Sequence, residues 1–266
     1  MKEKIISVIN QKGGVGKTTT VINLAAGLSL QDKKVLVIDL DPQGNATTGL
    51  GLSNLENSER SIYSVLNGTK KISDVIEKTK FSNLDLITSN VDLSGLEVET
   101  AENNRRAFIL KEQIMAYLND SRGIYSHILI DCPPSLSLLT IMALVASDSL
   151  LVPLQTEFFA LEGVTQLIKT IERIKNNLNP KLSIRGILLT MYDKRNKLSG
   201  EVEKEARDYF KDKVYQSIIP RNVRLSEAPS HGMPVLFYDK SCPGSKSYFS
   251  FTEEFIDQEK IMESAA

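Results

Sequence analysis

The chain has 266 residues, of which 41% are hydrophobic and 24% are charged, a balance typical of a globular protein and not of a disordered one. Its formal net charge is −1 and its pI is about 6.2. This excludes a protein drawn to nucleic acid by an overall positive field, so any DNA binding has to come from a local patch or from assembly. The cysteines, Cys132 and Cys242, are too few for a disulfide framework. With no signal peptide in the first residues, we expect a cytoplasmic protein.

Short apolar runs rich in Ile, Leu and Val predict strands that are buried on both faces, because the runs are continuous and do not alternate with polar residues. These runs are Ile5–Ile9, Val35–Asp39, Leu84–Thr88, Ile128–Asp131, Leu150–Pro153, Ile184–Thr190 and Val214–Ile219. Helical patterns lie between them, at Asn103–Leu118, Val164–Leu178 and Ser199–Lys211, and the apolar stretch Leu136–Leu154 predicts a buried helix followed by a buried strand. The alternation predicts the α/β class. We expect one domain over residues 1–256, with a mostly parallel twisted sheet and helices on both faces, and an acidic tail over residues 257–266.

The stretch "SVINQKGGVGKTTTVIN" predicts a loop that binds phosphate, since it follows a strand and opens a helix. Its glycines allow backbone N–H groups to close around phosphate oxygens, and the helix N-terminus adds its dipole. Lys17 is placed to reach the β- and γ-phosphates, the Thr18 hydroxyl to ligate Mg²⁺, and Thr19 to donate to the α-phosphate. The stretch departs from the ordinary pattern G-x-x-x-x-G-K-[ST] because Gln11 replaces the first glycine, and Lys12 is an additional lysine.

Carboxylates follow two of the predicted strands, where ligands gather in an open α/β sheet. "VLVIDLDPQGN" ends in Asp39 and Asp41, which could orient a water or bind near Mg²⁺, although Asp-Pro is also ordinary turn chemistry. "HILIDCPPS" places Asp131 at a Walker-B position, whose carboxylate holds the metal directly or through water. Cys132 has no second cysteine nearby, and we interpret it as a small buried residue.

Two basic loops follow the strands near the end of the chain. "TMYDKRNK" carries Arg195, and "IPRNVRLSEAPSHG" carries Arg221 and Arg224. The loops could form one patch on one edge, or they could be ordinary solvated surface.

Taken together, the motifs resemble those of the ParA/Soj chromosome- and plasmid-partitioning ATPases. The resemblance rests on "KGGVGKTTT", which matches the deviant Walker A loop of the MinD/ParA superfamily of P-loop NTPases, and on "DLDPQGNAT", "ILIDCPPSLSLLT", "EFFALEG", "LLTMYD" and "IPRNVRLSEAPSHGMPV". It implies an ATP hydrolase that uses ATP and Mg²⁺, forms a homodimer with nucleotide between the subunits, and binds double-stranded DNA without sequence preference. A ParB-type centromere-binding protein would stimulate hydrolysis and so release the dimer. The family implies a cytoplasmic, nucleoid-associated protein with no membrane partner.

The resemblance also implies roles for single residues. Lys12 would cross the dimer interface to the partner's phosphates, next to a Gly13 that must be small, and Asp41 would position the attacking water. Catalysis would therefore fall to Lys12, Lys17 and Asp41, with Thr18 on Mg²⁺ and Asp39 and Asp131 in its shell through water. Arg195 and Arg224 would bind DNA. The ATP-binding set would be Lys12, Gly13, Gly14, Val15, Gly16, Lys17, Thr18, Thr19, Met191, Pro220, Arg221 and Asn222.

Other functions remain as alternatives. A MinD-type ATPase that cycles on membranes would need a basic amphipathic C-terminal helix, whereas the end of this chain is acidic. A reductase of the nitrogenase type would need paired cysteines to bridge a cluster, which Cys132 and Cys242 do not offer. A protein without hydrolysis is disfavoured by the intact Lys17, Thr18, Asp41 and Asp131. One departure from the family is "YDKSCPGSKSY", where Lys240 and Lys246 are the only basic residues.

Overall fold

The computed structural model describes residues 3–52, 59–121, 123–158 and 160–264. Its centre is an eight-stranded sheet in the order β3-β4-β2-β5-β1-β6-β7-β8. The strands are β1 (Lys4–Val8), β2 (Val35–Asp39), β3 (Ile76–Lys78), β4 (Leu84–Ile87), β5 (His127–Asp131), β6 (Ser149–Gln155), β7 (Ser183–Tyr192) and β8 (Val214–Pro220). All the neighbouring pairs are parallel except β3 with β4. The seven predicted strands are confirmed, and the short antiparallel strand β3 is an addition to them.

The helices cover both faces of this sheet, as the alternating pattern predicts. They are α1 (Lys17–Leu30), α2 (Asn45–Gly49), α3 (Ile62–Leu66), α4 (Ile72–Val75), α5 (Leu96–Glu99), α6 (Ile109–Asp120), α7 (Leu138–Ala146), α8 (Ala160–Asn177), α9 (Lys197–Phe210), α10 (Val223–Glu227), α11 (Val235–Tyr238) and α12 (Pro243–Ser264). Short 3₁₀ turns occur at Val91–Gly95, Arg106–Phe108, Lys211–Lys213 and Ala228–His231. The three predicted helices correspond to α6, α8 and α9, and the apolar stretch after Leu136 forms α7 and β6.

Alternate residues of each central strand pack into different layers. In β2, Val35 and Val37 face a core with α1 and α12, whereas Leu36 and Ile38 face a core with α3, α6 and α7. A third cluster joins α8 and α9 to β6 and β7. Because both faces are covered, the strands have no polar side, which explains their continuous apolar runs. None of the helices in the described ranges is both long enough and apolar enough to span a bilayer.

The C-terminal helix α12 is part of the core. Phe251 and Phe255 are fully buried against the sheet, and α12 approaches α1 so closely that a β-carbon at Gly27 would overlap Thr252. Because α12 continues to Ser264, residues 257–264 form its last turns. The predicted boundary between residues 256 and 257 therefore falls inside a helix.

Glu259, near the end of α12, is buried and joins three strands. It lies 3.0 Å from Lys4 Nζ of β1, 3.0 Å from His127 Nε2 of β5 and 3.1 Å from Arg185 Nη2 of β7. A buried carboxylate needs such partners, because an unpaired buried charge is costly. These contacts fix the last turns of α12 on the amino-terminal ends of the strands.

Candidate nucleotide site

The loop after β1 has the geometry of a phosphate cradle. Gly14 and Gly16 adopt φ angles of 75° and 90°, a left-handed region that glycine enters without steric cost. The Thr190 hydroxyl of β7 donates to the Val15 carbonyl at 2.9 Å, and the Asn10 side chain accepts from the Lys12 amide at 3.0 Å. The loop is therefore held in shape from both sides before any ligand arrives.

Lys17 is the first residue of α1, and its side chain is directed into the loop. Its ammonium donates to the Lys12 carbonyl at 3.0 Å, and the residue is buried. Burial lowers the pKa of Lys17, while the nearby Asp131 and Asp41 oppose that effect. Thr18 and Thr19 follow on the same helix turn and line the same cavity, so the structure brings the predicted phosphate-binding residues together.

Adjacent strands place three carboxylates beside the loop. Asp39 of β2 and Asp131 of β5 are register partners, and Asp41 follows two residues after β2. Burial raises the pKa of Asp131 well above its usual range, and the neighbouring Asp39 adds to this effect. The Thr18 hydroxyl and the Lys17 ammonium oppose this shift in the pKa, but neither carboxylate oxygen of Asp131 has a well-formed hydrogen bond among the described residues. A bound cation would favour the ionised form of this buried carboxyl, and Asp131 together with the Thr18 hydroxyl offers the hard oxygen ligands that Mg²⁺ prefers.

Asp39 has a second function that the sequence did not reveal. Its Oδ2 accepts from both the amide and the hydroxyl of Thr47 at 2.7 Å, and its Oδ1 accepts from the Asp41 amide at 3.2 Å. The Thr47 hydroxyl in turn accepts from the Ser89 amide at 3.0 Å. Burial raises the pKa of Asp39 to about 6, although the bonds from Thr47 oppose the shift. Asp39 thus anchors α2 and the turn that carries Asp41.

A cavity of about 660 Å³ extends from the loop toward the ends of β7 and β8. Its walls include the predicted residues Met191, Pro220, Arg221 and Asn222, together with residues that were not assigned to the site from the sequence. These additional wall residues are Ile22, Gln43, Asn45, Thr48, Pro134, Ile219, Leu225, Ser226, Pro229, Ser230 and Tyr248. A cavity of this size, with an apolar end and a glycine-rich phosphate end, suits a nucleoside triphosphate.

The additional lysine, Lys12, directly precedes Gly13, which lines this cavity, and it is not itself a wall residue. The Lys12 side chain is 46% exposed, and its ammonium forms an ion pair with Glu157 on the loop after β6. This partner was not predicted. The pairing arises because β1 and β6 are parallel neighbours, so the loops that follow them lie side by side.

Comparison with known proteins places this geometry in a family. A family model described as an AAA domain matches residues 3–184. The chromosome partitioning protein ParA of Caulobacter vibrioides is 49% identical over 263 residues, covering 99% of this chain and 97% of that protein. The chromosome-partitioning ATPase Soj of Treponema pallidum is 48% identical, covering 95% of this chain and 97% of that protein.

The chain belongs to the ParA/Soj family of ATPases. A solved structure of a cobyrinic acid a,c-diamide synthase from Mycobacterium smegmatis, with bound ATP analogue and magnesium, shares the fold at a TM-score of 0.82 and 33% identity, covering 97% of this chain and 96% of that chain. The higher identity to the partitioning proteins favours their function over that of the synthase and over the MinD-type alternative.

The ParA/Soj resemblance assigns Arg195 and Arg224 to DNA, and the structure places both at the edge that carries the nucleotide loop. Arg195 forms a bidentate pair with Asp193, at 3.0 Å from Nε and 2.9 Å from Nη2, and it lowers the pKa of Asp193 to about 2. Arg224 lies 2.7 Å from Glu227 and 3.5 Å from Asp239. Both arginines are thus balanced by carboxylates of their own chain.

The two basic loops are adjacent in the structure. The Arg221 amide donates to the Tyr192 carbonyl at 2.9 Å, which joins the loop after β8 to the end of β7. Asp193 is close enough to Arg221 for the arginine to contribute to its lowered pKa. The two loops therefore lie next to each other at this edge of the sheet. Their role in DNA binding stays a prediction.

Proposed function

We propose that this protein is a chromosome- or plasmid-partitioning ATPase that switches between a monomer and an ATP-bound dimer, and that the dimer binds DNA without sequence preference. The observation that carries the proposal is the pair of lysines in one loop. Lys17 is buried and its ammonium donates to a carbonyl of its own loop, whereas the Lys12 side chain is 46% exposed and pairs with Glu157 on a neighbouring loop. The two lysines cannot serve the same phosphate in the same way, so Lys12 is free in principle to act on a second subunit.

Within one subunit, the residues divide the work of phosphoryl transfer, which consists mostly of positioning and charge neutralisation. The loop amides and Lys17 hold the phosphates, and Asp41 orients the attacking water. Thr18 would hold Mg²⁺ directly, with Asp131 and Asp39 acting through water. When bound, Mg²⁺ neutralises charge on the phosphates. Met191, Pro220, Arg221 and Asn222 enclose the base.

A second subunit would complete the site. Phe158 is 74% exposed and directly follows Glu157, and Leu136 is 41% exposed on the loop after β5. Exposed apolar side chains around a catalytic cavity favour an interface with another protein surface. The 48–49% identity to partitioning proteins supports the same assignment. The partner that stimulates hydrolysis would be a ParB-type protein, and the DNA-bound dimer would be associated with the nucleoid.

Neutral overall charge is compatible with DNA binding in this scheme. A monomer carries one small patch whose arginines are already paired, whereas a dimer presents two patches to one duplex. The MinD-type alternative has less support from the structure. In the described residues, the final turn of α12 carries no basic side chain. Three of its four aromatic residues, Tyr248, Phe251 and Phe255, are buried in the core, whereas Phe249 is exposed.

The proposal is tested by Lys12→Ala. The variant should bind ATP as a monomer but lose hydrolysis stimulated by DNA and a ParB-type protein, by roughly the 10³–10⁵-fold that a group supplied in trans contributes. Lys175→Ala, which removes an exposed lysine from α8, is the matched control and should keep full stimulation. Full stimulated turnover in the Lys12→Ala variant would show that no lysine is supplied in trans.

A further inference from the structure

The Lys12–Glu157 ion pair is built from two loops that are each held by the backbone. The Asn10 amide group donates to the Pro153 carbonyl of β6 at 2.8 Å, while its oxygen accepts from the Lys12 amide. One side chain therefore ties the loop of Lys12 to the strand that leads to Glu157. Because two anchored residues meet, the pair has less conformational entropy to lose than two free surface side chains.

The loop of Glu157 is anchored on its other side as well. The Thr156 amide donates to the Thr190 carbonyl at 3.2 Å, and the Thr156 hydroxyl donates to Ser199 at 3.3 Å. Thr190 is the residue whose hydroxyl holds the phosphate loop at Val15. The carboxylate of Glu157 is consequently fixed relative to the nucleotide cavity, with 32% of its side chain exposed.

We propose that Glu157 is a positioning residue that holds Lys12 in its own subunit until a second nucleotide-bound subunit arrives. This inference rests on the proposed function, in which Lys12 acts on the phosphates of a second copy of this chain. Lys12 would exchange one carboxylate for a polyphosphate, which carries more charge and more acceptor oxygens. Glu157, being partly exposed, would then be solvated. The exchange adds a cost to dimerisation and so suppresses hydrolysis in the absence of a partner.

The size of this cost follows from the exposure of the pair. Exposed ion pairs are worth a factor of about two to five in an equilibrium constant. Two pairs are broken when two subunits associate, so the removal of the Glu157 charge should tighten the dimer by about 4- to 25-fold.

One experiment tests the pair in the monomer, without nucleotide. Lys12 is labelled with a limiting amount of an acetylating reagent, and its rate of modification is measured by mass spectrometry. Glu157→Gln should raise the rate about two- to fivefold, because the amine is no longer held by a carboxylate, whereas Glu157→Asp should stay near the wild type. Equal rates in the wild type and Glu157→Gln would overturn the proposal.

A second measurement follows dimerisation with a non-hydrolysable ATP analogue by sedimentation. Glu157→Gln should lower the dimer dissociation constant, and Asp257→Asn, which breaks an exposed pair with Lys260 on α12, should leave it unchanged. A weaker dimer in Glu157→Gln would mean that Glu157 contacts the second subunit, and it would overturn the positioning role. If the wild type forms no dimer at any concentration, the proposed function fails, while the labelling experiment still decides whether Glu157 holds Lys12.

Discussion

Replacement of Thr47 by Val tests whether Asp39 anchors the turn that carries Asp41. Threonine and valine side chains are nearly equal in shape, so the substitution at position 47 removes a hydroxyl without creating a cavity. Two bonds are lost, from the hydroxyl to Asp39 Oδ2 and from the Ser89 amide to the hydroxyl. A hydrogen bond to a charged group contributes about 1.5–3 kcal/mol, and a neutral one about 1 kcal/mol. We expect the free energy of unfolding to fall by about 2–4 kcal/mol at pH 7.5.

The loss of stability caused by Thr47→Val should be larger at high pH than at low pH. The pKa of Asp39 is raised from 3.8 to about 6, so its ionisation opposes folding, and stability is lost as the pH rises through that value. The Thr47 hydroxyl favours the ionised form, and its removal raises the pKa further. The effect of Thr47→Val should therefore be larger at pH 7.5, where Asp39 is ionised, than at pH 5, where it is mostly protonated.

Urea unfolding followed by circular dichroism at the two pH values measures this difference. Thr170→Val is a suitable control, because the Thr170 hydroxyl donates within α8, to the Gln166 carbonyl, on the solvent-facing side of that helix. In the ATPase assay, Thr47→Val should lower kcat more than it raises KM, since Asp41 loses its support while the phosphate loop is intact. An equal loss of stability at both pH values, or a loss below about 0.5 kcal/mol, would refute the anchoring role.

Three further outcomes are expected. Asp41→Ala should trap an ATP-bound dimer on DNA, because water is no longer oriented, as measured by sizing and DNA retention. Arg195→Glu should abolish ATP-dependent DNA binding without loss of dimerisation, whereas Asp193→Asn, which frees the arginine, should tighten binding about two- to fivefold. Asp131→Asn should abolish hydrolysis and yet stabilise the nucleotide-free protein. The stabilisation should grow between pH 5 and pH 8, because the pKa of Asp131 is raised and its ionisation therefore opposes folding.

Each of these expectations has a result that contradicts it. A purely monomeric Asp41→Ala protein in the presence of ATP would remove the water-positioning role. Persistent shifts of random-sequence DNA by Arg195→Glu at moderate salt would place the DNA surface elsewhere. If Asp131→Asn unfolds more easily than the wild type at every pH, the ionisation of Asp131 does not oppose folding.

The sequence was sufficient for the seven parallel strands and for the nucleotide loop, but not for the short strand β3. The apolar runs of the strands are continuous because both faces of the sheet are buried. Each run involves only neighbouring residues, so it can be recognised without a structure. The loop from Lys12 to Thr19 is equally local, since its glycines and its lysines all act within one turn of chain. The comparisons confirm the family and the fold. The separate roles of the site residues stay predictions.

Contacts between distant segments could not be predicted in the same way. Glu157 meets Lys12 only because β1 and β6 are neighbours in the sheet, and Thr47 meets Asp39 only because α2 folds back over the end of β2. The helix α12 was missed for a different reason. Its buried stripe of Tyr248, Phe251 and Phe255 ends in Glu259, and a carboxylate in an apolar stripe is read as solvent-facing unless its buried partners are known.

Glu259 also changes how the end of this protein should be handled. A stretch that begins at Asp257 and is rich in acidic residues invites removal, yet its deletion would take one negative charge away from Lys4, His127 and Arg185 together. Arg185 would be left in the interior without its counter-charge and His127 without its hydrogen-bond partner, on strands that support both the phosphate loop and the base-binding wall. A shortened chain would therefore damage the nucleotide site from the opposite ends of the strands, whereas a fusion placed after Ser264 would leave the contacts of Glu259 intact.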